Sequence, residues 1–454
     1  MEPNVQRSAI EFLPENILTT NPLGDAAGDM NKFFEISDES FTTSFPQGVD
    51  SGLEVLFQRL DNKKRLMVRG AALGLIDILR SADKPADESG GPKLVVLSSE
   101  GKELTKRGVG KTSALLHAVH WARANGWLVL HVQDAKFVME GGWWVKPSEV
   151  TPGDFDQPQV AEKILGDFLA AHASLLESLP LQTSGAASLI EEYEAAQAVA
   201  PGGALFAGGK GERVGEEEGA TEAEQEAAEA GATKARHATL KDLCGLGVVG
   251  DRDPKRGEVW AMLVERFGSR ALLCLRQELS VLKAVPVLVA IDEYNLLFGT
   301  TKHFFDEQRL EAEQLVVVQA LRDLSRCATK PFDAAAGDGE ESGEEAAVSG
   351  GSSVNGGWLK RGVVVVSETN KHPNDSVKGV EYFDNAGANL RAGKSPAGVL
   401  RLPVGRLDED EFASMCDFFA ASEVLNGDSH TLRGILRTQS QQNPRVLLRR
   451  IMLT

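Results

Sequence analysis

The sequence has no long apolar run and only four cysteines. No stretch approaches the roughly 18 consecutive apolar residues that a membrane-spanning helix needs, so a transmembrane helix is excluded. Cys244, Cys274, Cys327 and Cys416 are far apart and form no CxxC pair. This spacing argues against a zinc knuckle or a disulfide framework and favours reduced thiols. HExxH and GxSxG motifs are also absent, so nothing indicates a zinc protease or a serine hydrolase.

The negative charge is concentrated in two short segments. The net charge of the 454 residues is −18, but residues 211–230 alone carry eight glutamates against one arginine. Residues 333–345 add six carboxylates and no base. Without these segments, whose net charges are −7 and −6, the chain carries only −5. The bulk of the chain is therefore only mildly acidic, and a nucleic-acid partner is not excluded.

From residue 89 onward, apolar strands alternate with helical patterns. Five strands are predicted, at 94–97, 127–132, 285–291, 363–366 and 399–404. Helices are predicted near 112–124, 160–179, 257–282 and 306–327. This alternation predicts an α/β fold with a five-stranded parallel sheet and helices on both faces. The low-complexity segments near 181–235 and 333–357 are predicted to be solvated insertions.

The pattern divides the chain into three parts. Residues 1–88 are predicted to form an N-terminal extension and a helical segment, with helical spacing from Leu66 to Leu79. Residues 89–405 form the α/β domain with its two inserts. Residues 406–454, with helices near 409–421 and 430–452, form a C-terminal helical lid. No mitochondrial presequence is visible in this numbering, because the first residues are acidic rather than arginine-rich.

A glycine-rich loop, Gly108-Val109-Gly110-Lys111-Thr112, stands between the first strand and its helix. Glycines let backbone amides turn toward a polyphosphate, and the positive helix N-terminus adds to the attraction. Lys111 is predicted to reach the β- and γ-phosphates, and the Thr112 hydroxyl to bind Mg²⁺. Arg107 and Ser113, which flank the loop, are predicted to join in nucleotide binding.

The loop departs from the phosphate-loop pattern at its first glycine. That pattern has a glycine five residues before Gly110, where this chain has Thr105. A β-branched residue is poorly suited to a left-handed turn. Either the loop begins differently from the pattern, or it is longer than usual and Gly101 serves as its first glycine. A glycine-rich turn with a solvated lysine is the structural alternative to a nucleotide site.

Asp292 and Glu293 follow the apolar strand predicted at 285–291. A carboxylate at the end of such a strand can hold the Mg²⁺ shell, as the Walker B aspartate does in phosphate-loop proteins. Asp292 is therefore predicted to bind the metal together with Thr112. Glu293 stands where many such ATPases place the base that polarises water. The alternative for Asp292 is a strand-end turn or a helix cap, and the alternative for Glu293 is an ordinary acidic residue at a strand end.

Ser367-Glu368-Thr369-Asn370 follows the strand predicted at 363–366. In folds with an extra strand between the loop strand and the Walker B strand, a polar residue there senses the γ-phosphate. Ser367, Thr369 or Asn370 fits that role, and a plain polar loop is the alternative. Asn370-Lys371 also resembles the start of the guanine-reading Asn-Lys-x-Asp motif. Position 373 is proline, so this segment does not identify the base.

Asn443-Pro444-Arg445 lies within the last predicted helix. A guanidinium offers forked donors that suit phosphate oxygens. Arg445 is therefore predicted to reach the nucleotide from the C-terminal lid, with a solvated arginine as the alternative. A second basic group, Lys63-Lys64-Arg65 with Arg69, is interpreted as a solvated face or a contact for a phosphate backbone.

Taken together, these segments resemble the death-associated protein 3 family, the GTP-binding proteins of the mitochondrial ribosomal small subunit. The resemblance covers roughly residues 40–180 and 240–454 and leaves out both acidic inserts. The segments that carry it are Leu66-Met67-Val68-Arg69, Gly108–Thr112, Trp127–His131 with Asp134-Ala135, Phe155–Pro158, Val289–Asp292 and Asn443-Pro444. Thr105 and Glu293 depart from the animal members, which lack a carboxylate at the second position. The chain is identified as an algal or other non-animal member of the family with acidic insertions.

The resemblance implies an AAA-like phosphate-loop fold that holds GTP or GDP, with ATP as the alternative, together with Mg²⁺. It also implies residence in the mitochondrial matrix, in the head of the small subunit, away from membranes. The implied partners are small-subunit rRNA, neighbouring ribosomal proteins and large-subunit proteins at intersubunit bridges. The nucleotide would then be a stabilising ligand, and the chain at most a slow GTPase. The alternatives are an active AAA-like NTPase switch with Glu293 as base, or an apoptosis-related adaptor outside the ribosome.

Overall fold

The computed structural model describes most of the chain. The described residues are 17–23, 28–84, 92–99, 108–199, 238–248, 257–322, 359–369, 399–422, 424–425 and 429–451. The insert predicted at 333–357 lies outside them, as do residues 200–235 of the other insert. Among the helices of this described part, none is both long and apolar enough to cross a membrane.

The strands and helices of the described residues are numbered in chain order. The strands are β1 Phe33–Ile36, β2 Lys64–Met67, β3 Leu94–Ser99, β4 Leu128–Val132, β5 Lys146–Pro147, β6 Phe155–Asp156, β7 Val287–Ile291, β8 Thr300–Phe305, β9 Gln308–Glu311, β10 Gly362–Ser367 and β11 Val399–Val404. The helices are α1 Asp38–Ser44, α2 Ser51–Arg59, α3 Gly70–Ala82, α4 Lys111–Ala124, α5 Ala135–Glu140, α6 Pro158–Glu177, α7 Ser184–Val199, α8 Leu240–Gly245, α9 Gly257–Val281, α10 Val316–Arg322, α11 Glu409–Ala421, α12 Ser429–Ser440 and α13 Pro444–Ile451. Two short 3₁₀ helices, Tyr294–Phe298 and Ala312–Gln314, complete the set.

Five strands form one parallel sheet in the spatial order β11, β3, β10, β7, β4. Val365 of β10, for example, lies opposite both Val95 of β3 and Ala290 of β7. The predicted α/β class and five-stranded parallel sheet are therefore confirmed, and each observed strand starts or ends within two residues of its prediction. Because the strands run in one direction, the residues that follow β3, β7 and β10 meet at one edge.

Helices cover both faces of this sheet, as the sequence predicted. One face, with side chains such as Val95, Leu288 and Val365, packs against α3 and α4. The opposite face, with Val96, Val289 and Val364, packs against α6 to α10. Strands buried on both faces need continuous apolar sequence, which explains the valine-rich runs of β7 and β10. The two cores hold the strand ends in fixed positions.

A third apolar cluster joins the C-terminal helices to the N-terminal segment. Phe418 of α11 stacks on Phe33 of β1, with ring centroids 3.8 Å apart. Leu447 and Ile451 of α13 pack into the same cluster, together with Leu60. The first and last described parts of the chain therefore meet, and they do so beside the edge of the sheet where β3 ends.

Three helical predictions and one predicted insertion differ from the structure. Residues 66–67 belong to β2, which pairs antiparallel with β1, so the helix predicted from Leu66 begins only at Gly70. The helix predicted over 306–327 is wrong for residues up to 315. There β8 and β9 form a hairpin, whose turn at Asp306 and Glu307 has two positive φ angles. Residues 323–327 lie outside the described part.

The other two differences concern a break and an insert. The helix predicted over 430–452 is two helices, since Gln441 and Gln442 take left-handed backbone conformations and Pro444 starts α13. The prediction that 181–235 is solvated is wrong for α7. Its Leu189 and Tyr193 are buried in the core against α9, whose apolar surface supplies a partner that composition alone does not reveal.

Asp156 of β6 is a buried carboxylate, only 2% exposed. Its Oδ1 atom makes no hydrogen bond within the described part of the chain. Burial raises the pKa of Asp156 to about 6, although Lys146 and Arg270 partly oppose this effect. The carboxylate is therefore charged at neutral pH in a place that disfavours the charge. Because its folded pKa lies above its unfolded value, the native state takes up a proton as the pH falls through about 6.

We expect Asp156→Asn to raise the free energy of unfolding by about 1–2 kcal/mol at pH 7.5 and to have no such effect at pH 4. At the lower pH the wild-type carboxyl is already neutral, so the amide offers no advantage. Urea unfolding at both pH values measures the difference. Asp77→Asn, at an exposed carboxylate, is the matched control and should change stability by less than about 0.5 kcal/mol. Equal effects of Asp156→Asn at both pH values would contradict the prediction.

Candidate nucleotide-binding site

The glycine-rich loop lies between the carboxyl-terminal end of β3 and the start of α4. Gly108 and Gly110 have φ angles of +76° and +100°, which side-chain-bearing residues rarely adopt. Gly110 is the residue before α4, so the first amides of that helix have no partner within the helix. Val109, between the glycines, points into the core and is 1% exposed. The loop thus presents backbone rather than side chains, which suits a phosphate.

Lys111, the first residue of α4, lies close to several carboxylates. Its Nζ donates to Ser99 Oγ at the end of β3, 2.6 Å away. Burial lowers the pKa of Lys111, while Asp292, Glu368 and Glu293 oppose that effect. The ammonium is therefore held among acidic groups and lacks most of its hydration. Bound phosphate would supply further negative charge to the same ammonium.

Thr112, at the start of α4, and Asp292, which follows β7, are in contact, as the sequence predicted. The Thr112 hydroxyl donates to Asp292 Oδ2 at 2.7 Å. Asp292 Oδ1 accepts from the backbone N–H of Glu293 at 3.0 Å and from the hydroxyl of Ser367. Asp292 is 5% exposed and Ser367 is 1% exposed, so these bonds fix the carboxylate in one orientation. Ser367, one of the three sensor candidates, thus contacts Asp292.

The donor set fits a magnesium ion. Mg²⁺ takes octahedral oxygen ligands at about 2.0–2.1 Å, so neighbouring ligands lie roughly 3 Å apart. The 2.7 Å between Thr112 Oγ1 and Asp292 Oδ2 is compatible with such a neighbouring pair. Two protein oxygens are typical of a site that is completed by water and substrate phosphates. Thr112 and Asp292 are therefore the residues that would hold the ion.

Glu293 has a left-handed backbone with φ +57° and is 7% exposed. Its N–H donates to Asp292 Oδ1 and also lies 3.2 Å from Ser367 Oγ. Such a conformation is strained for a residue with a side chain, and strain of this kind clusters at functional sites. The residue belongs to the edge that carries Lys111, but its role as a base stays a prediction.

Asn295 fixes the segment that follows β10. Its side-chain amide donates to the carbonyl of Thr369 at 2.9 Å and accepts from the N–H of Thr369 at 2.7 Å. Both backbone groups of Thr369 are therefore hydrogen-bonded to the side chain of Asn295, which is completely buried. The predicted ligands Arg107 and Asn370 lie outside the described residues. Ser113 lies in the first turn of α4, partly exposed.

The C-terminal helices contact the loop through Arg445. Its N–H donates to the carbonyl of Gly108 at 3.2 Å, and Asn443 caps the helix by accepting from the N–H of Arg445 and of Val446. An added Cβ on Gly108 would lie 2.2 Å from the Cβ of Arg445, so this approach requires glycine. The structure brings Arg445 to the loop, as predicted, while its phosphate contact remains a prediction.

Arg69 links the loop to α11, a connection that the sequence did not reveal. Its Nη1 donates to the carbonyl of Val109 at 2.6 Å. Nε and Nη2 donate to the two carboxylate oxygens of Glu411, at 2.9 and 2.8 Å. The side chains of Arg69 and Glu411 are 12% and 9% exposed. This Arg69–Glu411 clamp is not the solvated face that the basic run suggested.

The rest of that basic run is also paired. Arg65, 4% exposed, contacts Glu35 at 2.7 Å, while Lys64 contacts Asp38 at the same distance. Lys63 lies 3.3 Å from Glu35. These pairs link β2 to its antiparallel partner β1 and to α1. The interpretation as a solvated face is therefore wrong for the buried Arg65, as it is for Arg69, whereas Lys63 and Lys64 form ion pairs at the surface.

Three residues near the loop were missed by the sequence reasoning. Ser99 follows the apolar part of β3, so the strand-end rule that selected Asp292 also applies to it. Glu411 stands three residues after Asp408 in a capping box that opens α11, a pattern that identifies the helix start but not its partner. Asn295 has no local signal, since its bond partner lies 74 residues away.

Comparisons with known proteins show which family this chain belongs to. The family described as mitochondrial ribosomal death-associated protein 3 matches residues 66–450, which include the loop, Asp292 and Arg445. The small ribosomal subunit protein mS29 of Bos taurus is 28% identical over 167 residues, which are 36% of this chain and 39% of the relative. Its Mus musculus counterpart is 28% identical over 151 residues, 33% of this chain and 35% of the relative. These alignments thus span less than half of either relative. The family match covers most of the chain, and the chain belongs to the mitochondrial ribosomal death-associated protein 3 family.

Proposed function

We propose that this chain is a structural component of the mitochondrial ribosomal small subunit that holds a nucleotide with Mg²⁺ as a stabilising ligand. Its family description and its two mS29 relatives support the ribosomal part. Within the small subunit, small-subunit rRNA and ribosomal proteins are the partners. The finer placement, in the head near large-subunit proteins at intersubunit bridges, is part of the same proposal.

One observation carries the nucleotide part. Lys111, Thr112 and Asp292 converge at the carboxyl edge of the sheet, with 2.7 Å between the Thr112 and Asp292 oxygens. Thr112 and Asp292 are 180 residues apart in the sequence. A glycine-rich turn with a solvated lysine would give no reason for them to meet. Amide donors, a cation and a metal-binding oxygen pair are the three elements that bind a polyphosphate.

The sheet order supports an AAA-like assignment within the phosphate-loop class. β10 lies between the loop strand β3 and the strand β7 that ends at Asp292. That extra strand between the loop strand and the Walker B strand is the arrangement that the resemblance implies. Ser367, at the end of β10, contacts the metal-binding carboxylate from the sensor position.

The contact between α13 and the loop supports a C-terminal lid. Arg445 stands beside Gly108, and its backbone hydrogen bond joins the two segments. The side chain of Arg445 lies on the exposed side of the helix, so its guanidinium is free to turn toward a phosphate. In this proposal, α11 to α13 close over the nucleotide, and Arg445 contributes positive charge to it.

We assign the nucleotide as GTP or GDP on the family resemblance, with ATP as the alternative. A ligand that binds only the folded state stabilises it by about 2.7 kcal/mol at a hundredfold excess over Kd. Turnover is not required for this role. Glu293, buried beside Asp292, is the residue through which an active NTPase would polarise water, so the hydrolysis rate separates the two functions.

Two measurements on the purified full chain test the proposal. Calorimetric titration with GTP, GDP and ATP, each with Mg²⁺ or with EDTA, should give Mg²⁺-dependent binding with guanine preferred. Phosphate release should stay far below about 1 s⁻¹ and be unaffected by Glu293→Gln. Faster release that Glu293→Gln abolishes would favour the NTPase switch. No binding of any nucleotide would refute the nucleotide part.

A further inference from the structure

Arg361 organises the edge of the sheet opposite to the phosphate loop. It stands immediately before β10, and its guanidinium donates to the carbonyls of Asp83 and Ala284 at 2.7 and 2.9 Å. It also donates to the carbonyl of Lys283 at 3.3 Å and to the carboxylate of Asp83 at 2.8 Å. Three segments therefore meet at this residue: the end of α3, the turn before β7 and the start of β10.

Each of these segments carries an exposed lysine next to the arginine. They are Lys84, Lys283 and Lys360, and within the part of the chain that the structure describes none of them forms an ion pair. The backbone N–H of Lys360 donates to the carbonyl of Ser280 at 3.1 Å, which fixes its position. Lys93, at the start of β3, lies on the same edge. These four lysines and Arg361 are called the basic edge.

Among the described residues, the carboxylates next to this edge do not pair with Lys84, Lys283 or Lys360. Asp83 is occupied by Arg361, and Asp77 pairs with Arg80 at 3.0 Å. Asp87 and Glu88 belong to residues 85–91, outside the described part. Within the described part of the chain, Lys84, Lys283 and Lys360 are therefore a local excess of positive charge, although the net charge of the sequence is −18. Such a local excess on an acidic chain indicates a polyanionic partner.

The position of the basic edge separates it from the nucleotide site. β3 has six residues, so its two ends lie roughly 20 Å apart. Lys93, Lys283 and Lys360 precede the amino-terminal ends of β3, β7 and β10, whereas the loop follows a carboxyl-terminal end. A ligand on this edge therefore does not compete with a nucleotide, and changes there need not disturb Lys111 or Asp292.

We propose that the basic edge binds the phosphate backbone of RNA. Lysines on long flexible stems act as hydrated point charges, and they suit backbone contacts that carry no sequence information. Arg361 is the scaffold that places the lysines, because its own donors are already used. The choice of RNA over an acidic protein rests on the ribosomal part of the proposed function and is independent of nucleotide binding.

The test compares two double variants of the full chain. Lys283→Glu with Lys360→Glu changes the basic edge. The matched control, Lys163→Glu with Lys241→Glu, changes two exposed lysines that already pair with Asp167 and Glu177. Binding of a fluorescently labelled RNA duplex of about 20 base pairs is followed by anisotropy between about 50 and 200 mM KCl. Thermal unfolding and nucleotide titration check that each variant is folded and that its nucleotide site is intact.

We expect the basic-edge variant to bind the duplex at least about 10-fold more weakly at 100 mM KCl. Its slope of log Kd against log salt should fall by about 2, one for each lost phosphate contact. The control should stay within about twofold of wild type. Equal losses in both variants, no loss in either, or no RNA binding by the wild type would overturn the proposal.

Association with mitochondrial small subunits separates this inference from the proposed function. If the basic-edge variant binds the duplex normally but no longer joins the subunit, the edge contacts an acidic protein, and the RNA proposal is wrong. If the wild type binds the duplex through this edge yet never joins the subunit, the ribosomal function is wrong, while the RNA surface remains.

Discussion

Replacing Arg69 with methionine is expected to lower the free energy of unfolding by about 3–5 kcal/mol. The substitution leaves the buried carboxylate of Glu411 without its bidentate partner, at a position where that side chain is only 9% exposed. It also removes the donor to the carbonyl of Val109. Because that carbonyl belongs to the phosphate loop, we expect nucleotide affinity to fall as well, by about 10-fold for one lost charged hydrogen bond.

A double-mutant cycle tests whether the clamp itself is responsible. Arg69→Met combined with Glu411→Leu removes both charges, so it should recover a large share of the stability lost in the single variant. Urea unfolding of the wild type, both singles and the double measures the coupling. Lys163→Met, at an exposed pair with Asp167, is the matched control and should change stability by less than about 1 kcal/mol. A change of similar size for Arg69→Met would mean that the clamp contributes little.

Replacing Lys111 with methionine is expected to remove most of the stabilisation by nucleotide. Methionine keeps an unbranched apolar stem and lacks the ammonium, whose pKa burial lowers. At a nucleotide concentration that stabilises the wild type by about 2.7 kcal/mol, a hundredfold loss of affinity leaves only about 0.4 kcal/mol. Thermal unfolding with and without GTP and Mg²⁺ measures both quantities in one experiment.

The control for this prediction is Lys136→Met, at an exposed lysine that pairs with Glu140. That variant should keep the full response to nucleotide. If Lys111→Met responds to nucleotide as strongly as the wild type, Lys111 is a solvated lysine and the loop is a turn. If it unfolds without ligand, the ammonium is needed for folding, and Lys111→Arg then tests whether charge alone restores the response.

The central sheet was predictable because its strands are buried on both faces. Such strands need uninterrupted apolar residues, and runs like Val287–Ile291 stand out against polar surroundings. The residues that follow these strands were predictable for the same reason, since parallel strands bring their carboxyl ends together. Asp292 and Thr112 were thus expected to meet, although 180 residues separate them.

Long-range pairing was not predictable. Glu411 lies 342 residues from Arg69, and the sequence around each residue does not indicate its partner. The hairpin at Asp306 and Glu307 was missed because its turn contains no glycine or asparagine, the usual sequence signal for a tight hairpin turn. Both residues nevertheless have left-handed backbone conformations. α7 was missed because its composition resembles a solvated linker, and only the surface of α9 makes it part of the core.

The most direct test of the central claim is a density map of the small ribosomal subunit from the organism of this chain, with the region above Gly108–Thr112 resolved. We expect a nucleoside di- or triphosphate whose phosphates contact the first amides of α4 and Lys111. We also expect a metal ion beside Thr112 and Asp292. A map in which this chain is well ordered and the loop is bare, or in which the nucleotide lies elsewhere, would contradict it.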